Sequence, residues 1–224
     1  MSGRPLIAAP RDAAASAERK AILSSRFRAC LELKVGLYLL LTIIFCVPYF
    51  AIQRLTWLHL HKFSLGYIDT AIGFHPVAIY AYQSAYLLIP MFPFLATTRE
   101  ELLRFTKGFL WLCAVCFFAF LVFPVLGPRP EHAQGNRMTQ IVFSYDKNLN
   151  VFPSLHVGLA VYSVLFGFTI ARGSQQLRWL AMIGALWAGL IMISTVATRQ
   201  HYFVDIPPAV VLAWIAHRWV CLHA

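Results

Sequence analysis

Six stretches of the chain, at 35–52, 77–96, 109–126, 157–171, 179–195 and 204–220, are apolar runs near the length that crosses a hydrocarbon core. A bilayer-spanning helix needs about 20 mostly apolar residues in one stretch, and soluble domains break their apolar runs into shorter pieces. With 59% hydrophobic and 12% charged residues among 224, the chain is expected to be all-α, a polytopic membrane bundle of about six transmembrane helices. The fourth run is the shortest. Pro48, Pro90 and Pro93 are expected to cause local kinks of a kind that neighbouring membrane helices tolerate.

Residues 1–34 are Ala-rich and basic, and are expected to be a disordered cytoplasmic segment ahead of a membrane domain at 35–224. No short apolar core with a small-residue cleavage site precedes residue 35, so the first run reads as a retained helix and not a cleaved signal peptide. Arg99, Arg104, Lys107, Arg172, Arg178 and Arg218 join the basic N-terminus on one side of the bundle. The opposite loops carry Arg54, Lys62, Arg129, Arg137, Lys147 and Arg199. The positive-inside rule then favours cytoplasmic termini and outward-facing loops at Arg129 and His201. The net charge of +10 is scattered through short connecting segments and forms no single basic patch, which argues against nucleic acid as a partner. Cys113 and Cys116 form a C-x-x-C inside an apolar run with no second Cys or His pair at zinc spacing, so they read as small hydrophobes.

Three outward segments concentrate polar groups: Gly127-Pro128-Arg129-Pro130, Pro153-Ser154-Leu155-His156, and Arg199-Gln200-His201-Tyr202-Phe203-Val204-Asp205. Ionisable side chains at membrane depth are costly, so their clustering at one face marks a functional site. His201 and Asp205 are four residues apart, as partners stacked on one helix face would be, and the carboxylate can fix the imidazole tautomer. His201 is therefore the candidate nucleophile. His156 follows Ser154 at a helix N-terminus, where backbone N–H groups favour an anion, and is the candidate general acid. Arg129, Ser154 and Arg199 are candidate phosphate ligands, the guanidinium groups being suited to bidentate contact. Taken singly, each has a plainer reading as helix cap, structural histidine or interfacial anchor. Together they supply nucleophile, acid and charge stabilisation with no metal or other cofactor required.

These residues resemble the type 2 phosphatidic acid phosphatase superfamily, whose motifs are K-x6-R-P, P-S-G-H and S-R-x5-H-x3-D. Arg129-Pro130 matches the end of the first, Pro153 to His156 the second, and Ser194-Thr195-x5-His201-x3-Asp205 the third. The stretch from Asp69 to Pro93, including His75, Tyr82 and Tyr86, resembles the early part of these proteins. Three positions depart from the pattern. Val122 stands where the first motif has lysine, Leu155 where the second has glycine, and Thr195 where the third has arginine. Arg137 or Lys147 could replace the lost lysine charge, and Arg199 the lost arginine if the helix continues past Thr195. Pro-Ser-Leu-His with Gln-His-Tyr-x-x-Asp resembles the branch holding inositol phosphorylceramide synthases and sphingomyelin synthases.

The resemblance implies a phosphohistidine on His201, oriented by Asp205, with His156 as acid and then base. The expected partners are a lipid phosphate substrate and the bilayer, with water or a lipid alcohol as acceptor, and phosphatase is the broader expectation. Competing readings are headgroup transfer between lipids, a transporter using the same groups as a proton relay, and an inactive scaffold. Trp57, Phe74, Tyr145 and Phe152 are expected in the interfacial aromatic belt.

Overall fold

The computed structural model describes residues 11–55, 59–130 and 135–222; Trp57 lies outside these. Ten helices follow in chain order: α1 (Arg11–Arg28), α2 (Leu31–Ile52), α3 (Tyr67–Ile72), α4 (Ile79–Gln83), α5 (Ala85–Met91), α6 (Arg99–Val122), α7 (Arg137–Tyr145), α8 (Leu155–Ile170), α9 (Gln175–Ala197) and α10 (Ile206–Leu222). Among the described residues, five helical stretches are long and apolar enough to cross a membrane: Leu31–Ile52, Pro76–Leu95, Arg99–Val122, Gln175–Ala197 and Phe203–Cys221. The sixth, α8, has 16 residues. The chain is an all-α, multi-pass membrane bundle. Among the described residues its β pairing is confined to a two-residue parallel pair, β1 (His61–Lys62) with β2 (Val125–Leu126), and one isolated parallel bridge between Val125 and Asn150.

The surface is that of a protein solvated by lipid. Leu186 is 78% exposed, and Ile43, Val47, Leu190, Ile193 and Trp214 are all more than half exposed. In water such a sheath would be an aggregation liability; in hydrocarbon it is the natural solvent-facing side. The centre is α8, packed against α5, α6, α9 and α10, with both small and large side chains buried all round it. Tyr162 of α8 lays its ring over Gly108 of α6, where an added Cβ would sit 2.1 Å from the phenol oxygen. Its hydroxyl donates to the Arg104 and Phe105 carbonyls at 3.2 and 3.1 Å. A small residue opposite a polar side chain is how membrane helices gain close packing where no hydrophobic driving force operates.

Several boundaries differ from the sequence expectation for identifiable reasons. The run expected at 77–96 is divided into a 3-10 turn, α4, α5 and a second 3-10 turn. Pro93 lacks the N–H that would donate to the Ile89 carbonyl, and Ser163 of α8 donates there instead at 2.8 Å. Helix α6 begins ten residues before the expected apolar run because Thr98 and Glu101 form a capping box.

The expected disorder of 1–34 gives way, from Arg11 onward, to α1. Alanine-rich composition favours the helix. Lys34, itself buried, donates through Nζ to the Arg26, Phe27 and Phe94 carbonyls at 2.6, 3.3 and 2.9 Å, tying the end of α1 to the bundle. Residues 1–10 lie outside the described residues.

Candidate active site

The three polar segments meet at one end of the bundle, where α2, α6 and α9 finish and α8 and α10 begin. His201 follows α9 in an irregular turn, not on a helix. Asp205 closes a 3-10 turn, and α10 starts one residue later. The expected contact forms, Nδ1 to Oδ2 at 3.3 Å, but by a capping turn and not by stacking on one α-helix. Asp205 Oδ2 also accepts from the Tyr202 N–H at 2.8 Å, which draws the turn closed around His201. From below, Asp69 Oδ1 accepts the Phe203 N–H at 2.8 Å.

A second acceptor decides the tautomer. His201 Nδ1 lies 2.9 Å from the Val151 carbonyl, which can only accept, so Nδ1 carries the hydrogen. In the neutral ring the lone pair then belongs to Nε2. Both His201 and Asp205 are buried, at 3% and 0% exposure.

His156 sits in the first turn of α8, its ring centroid 6.4 Å from that of His201. Two tyrosines one helical turn apart hold it: Tyr82 Oη is 3.3 Å from Nδ1, and Tyr86 Oη is 3.0 Å from Nε2. Tyr82 stacks on the imidazole at 4.6 Å, and Tyr86 and Phe45 present edges at 5.3 and 6.5 Å. Below this cage, His156 and Tyr86 line one end of an apolar cavity of about 120 Å³ that runs between α2, α5, α6 and α8 as far as Lys34.

Ser154 is fully buried and caps α8, its Oγ accepting from the Val157 N–H at 3.4 Å. Its backbone N–H donates to the Asp205 carbonyl at 3.3 Å, which brings the second and third motifs together.

Arg129 is engaged by the protein itself. It donates to the Asp146 carbonyl, and to Gln200 Oε1 at 2.6 Å; it pairs with Asp146 Oδ2 at 3.4 Å and covers the Phe143 ring at 4.2 Å. Burial pulls its pKa below the ordinary guanidinium value, and the Asp146 carboxylate works against that shift. Asp146 is in turn held by Tyr49, Gln53 and the Asn148 N–H. Gly127 has no freedom to vary here, since a Cβ would fall 1.7 Å from Asn148 Nδ2.

Arg199 is placed by a turn the sequence does not predict. Helix α9 continues past Thr195 only as far as Ala197, so the condition for placing Arg199 one helical turn onward is not met; Arg199 instead adopts φ 55°, the left-handed region. It is buried, and its NH1 has no hydrogen-bond partner among the described residues. Arg137 and Lys147, the proposed substitutes for the lost lysine, are both exposed. The residues that sequence reasoning missed are Val151, whose carbonyl carries no side-chain signal, and the Asp146 hub with Tyr49, Gln53 and Gln200. Tyr82 and Tyr86 were visible only as part of a resemblance, with no role attached.

A family model of the PAP2 superfamily matches residues 49–219. The chain belongs to the PAP2 superfamily. No curated protein and no solved structure matches it. Membership supports, in general terms, a phosphatase or phosphotransferase acting on a lipid phosphate in a membrane. The matched region takes in all three motif segments, from the C-terminal turn of α2 to the last turn of α10.

Proposed function

We propose that this PAP2 protein is a lipid phosphate phosphatase in which His201 Nε2 attacks the phosphorus and His156 serves as acid and then base. The observation that carries the reading is the double hold on His201 Nδ1 by Val151 and Asp205, which leaves Nε2 as the basic nitrogen. The Asp205 carboxylate stabilises the positive charge that develops on the ring as the N–P bond forms. Arg199, with an unpartnered buried NH1, is one guanidinium available to a phosphate; Arg129 is held by Asp146 and Gln200 yet keeps an unpartnered buried Nε, so it can add a second contact. The chemistry needs only these groups, as phosphoryl transfer rests on positioning and charge stabilisation. The distribution of Lys and Arg supports cytoplasmic termini and a site on the outer face.

A lipid alcohol in place of water would make the same site a headgroup transferase. The apolar cavity lined by His156 and Tyr86 can hold the tail of the lipid phosphate or of a lipid acceptor, so it is compatible with that second reading as well.

The test is phosphate release from a panel of lipid phosphates in detergent with EDTA present, comparing the wild-type protein with His201→Ala. Release that disappears in the variant supports the phosphatase. A wild-type rate in His201→Ala overturns the nucleophile assignment. Turnover that requires an added lipid alcohol moves the assignment to headgroup transfer.

A further inference from the structure

The acid/base reading leaves one difficulty. Both nitrogens of His156 are occupied by phenols, and the hydroxyl covering Nε2 belongs to Tyr86. His156 therefore reaches a substrate oxygen through Tyr86 or not at all in this arrangement. Tyr86 and His156 line the same end of the apolar cavity, with Leu41, Phe45 and Ile89 along its walls. A phosphate ester whose tail lies in that cavity presents its bridging oxygen on the side where the Tyr86 hydroxyl stands.

We propose that Tyr86 is a catalytic proton relay between His156 and the departing lipid alcohol, an assignment that rests on the phosphohistidine reading above. In the first step the bond from His201 Nε2 to phosphorus forms and the bond from phosphorus to the bridging oxygen breaks, the electron pair staying on oxygen. Tyr86 gives its phenolic proton to that oxygen and takes the Nε2 proton of His156, whose ring takes up its second proton together with the dianionic ester, the negative charge beside it favouring the protonated form. The products are a neutral alcohol, a neutral His156 and an intact phenol. In the second step water attacks phosphorus, and its proton returns through Tyr86 to His156 as the N–P bond breaks. Tyr82, on the other nitrogen, holds the ring in line with this path.

Leaving groups distinguish this role from a structural one. An alkyl alcohol needs a proton to depart, whereas a nitrophenolate does not. The experiment measures first-turnover release from two phosphate monoesters with matched tails, one an alkyl ester and one a nitrophenyl ester, in wild type, Tyr86→Phe and His201→Ala. For Tyr86→Phe the ratio of alkyl to aryl rates should fall about 10²-fold, the scale of general-acid catalysis. Equal losses on both esters would make the hydroxyl structural and overturn the relay, as would no loss on either. If His201→Ala keeps release of either ester, the phosphohistidine reading fails by itself, whatever Tyr86→Phe does.

Discussion

His201 Nδ1 lies 2.9 Å from the carbonyl oxygen of Val151 and 3.3 Å from Asp205 Oδ2, so two acceptors from different segments share one imidazole hydrogen. In a Ser-His-Asp triad, replacing the aspartate by asparagine costs about 10⁴-fold because the wrong tautomer results. Here the backbone carbonyl remains to hold the tautomer. Asp205→Asn should therefore lower kcat by about 10²-fold, the part due to lost charge stabilisation. Steady-state rates on the best lipid phosphate check this; a loss as large as that of His201→Ala would mean that Val151 does not hold the ring.

Asp146 is predicted to matter to stability more than its loop position implies. Asp146→Ala strips a partner from partly buried Arg129 and leaves Tyr49 and Gln53 with an unanswered polar group. Breaking a buried pair from one side costs about 3 kcal/mol or more. Thermal unfolding in detergent should show a clear drop for Asp146→Ala and almost none for Lys147→Ala, whose side chain is exposed.

Arg199 sets stability against function. Its left-handed backbone costs about 1 kcal/mol for a side-chain-bearing residue, a strain that glycine escapes. Arg199→Gly should hold or raise the melting temperature while KM for the lipid phosphate rises about tenfold, the scale of one charged hydrogen bond. Parallel melting curves and kinetics test the pair of effects, and an unchanged KM would remove Arg199 from phosphate binding.

At Gly127 the obstacle is a single side chain. Gly127→Ala should destabilise by about 1–3 kcal/mol, because the new methyl group collides with the Asn148 carboxamide. Asn148→Gly in the same protein removes that carboxamide and suits the φ of 57° at this position, so the double variant should be more stable than Gly127→Ala alone. Equal stability of the two would place the clash elsewhere.

The membrane bundle and the clustering of its motifs were legible because apolar run length and residue spacing are properties of sequence. The His201 to Asp205 contact was legible as proximity and misread as geometry: spacing of four fits both a helix and a capping turn, and the turn is stabilised by a backbone N–H that no pattern reveals. For the same reason spacing alone could place Arg199 one turn beyond Thr195 only on the condition that α9 continued, and the helix ends two residues before it. Arg129 reads as a free guanidinium in sequence because its partner, Asp146, is 17 residues away in a loop without periodicity. The start of α6 was missed as well, because apolar run length takes no account of the Thr98 and Glu101 capping box that extends the helix well beyond its apolar run.

The 16 residues of α8 rise about 24 Å, whereas a hydrocarbon core is about 30 Å thick. If the loop before Ser154 makes up that difference, its backbone groups can lie at such depth only where protein satisfies them. Gln53 takes the Lys147 N–H, Asp146 takes that of Asn148, the Asn148 carbonyl takes that of Gly127, and Asn150 spans to the Tyr49 carbonyl at 2.7 Å. The carboxamides and the single carboxylate thus act as a built-in fragment of aqueous phase, carried below the waterline so that charged chemistry can proceed where the surrounding lipid would forbid it.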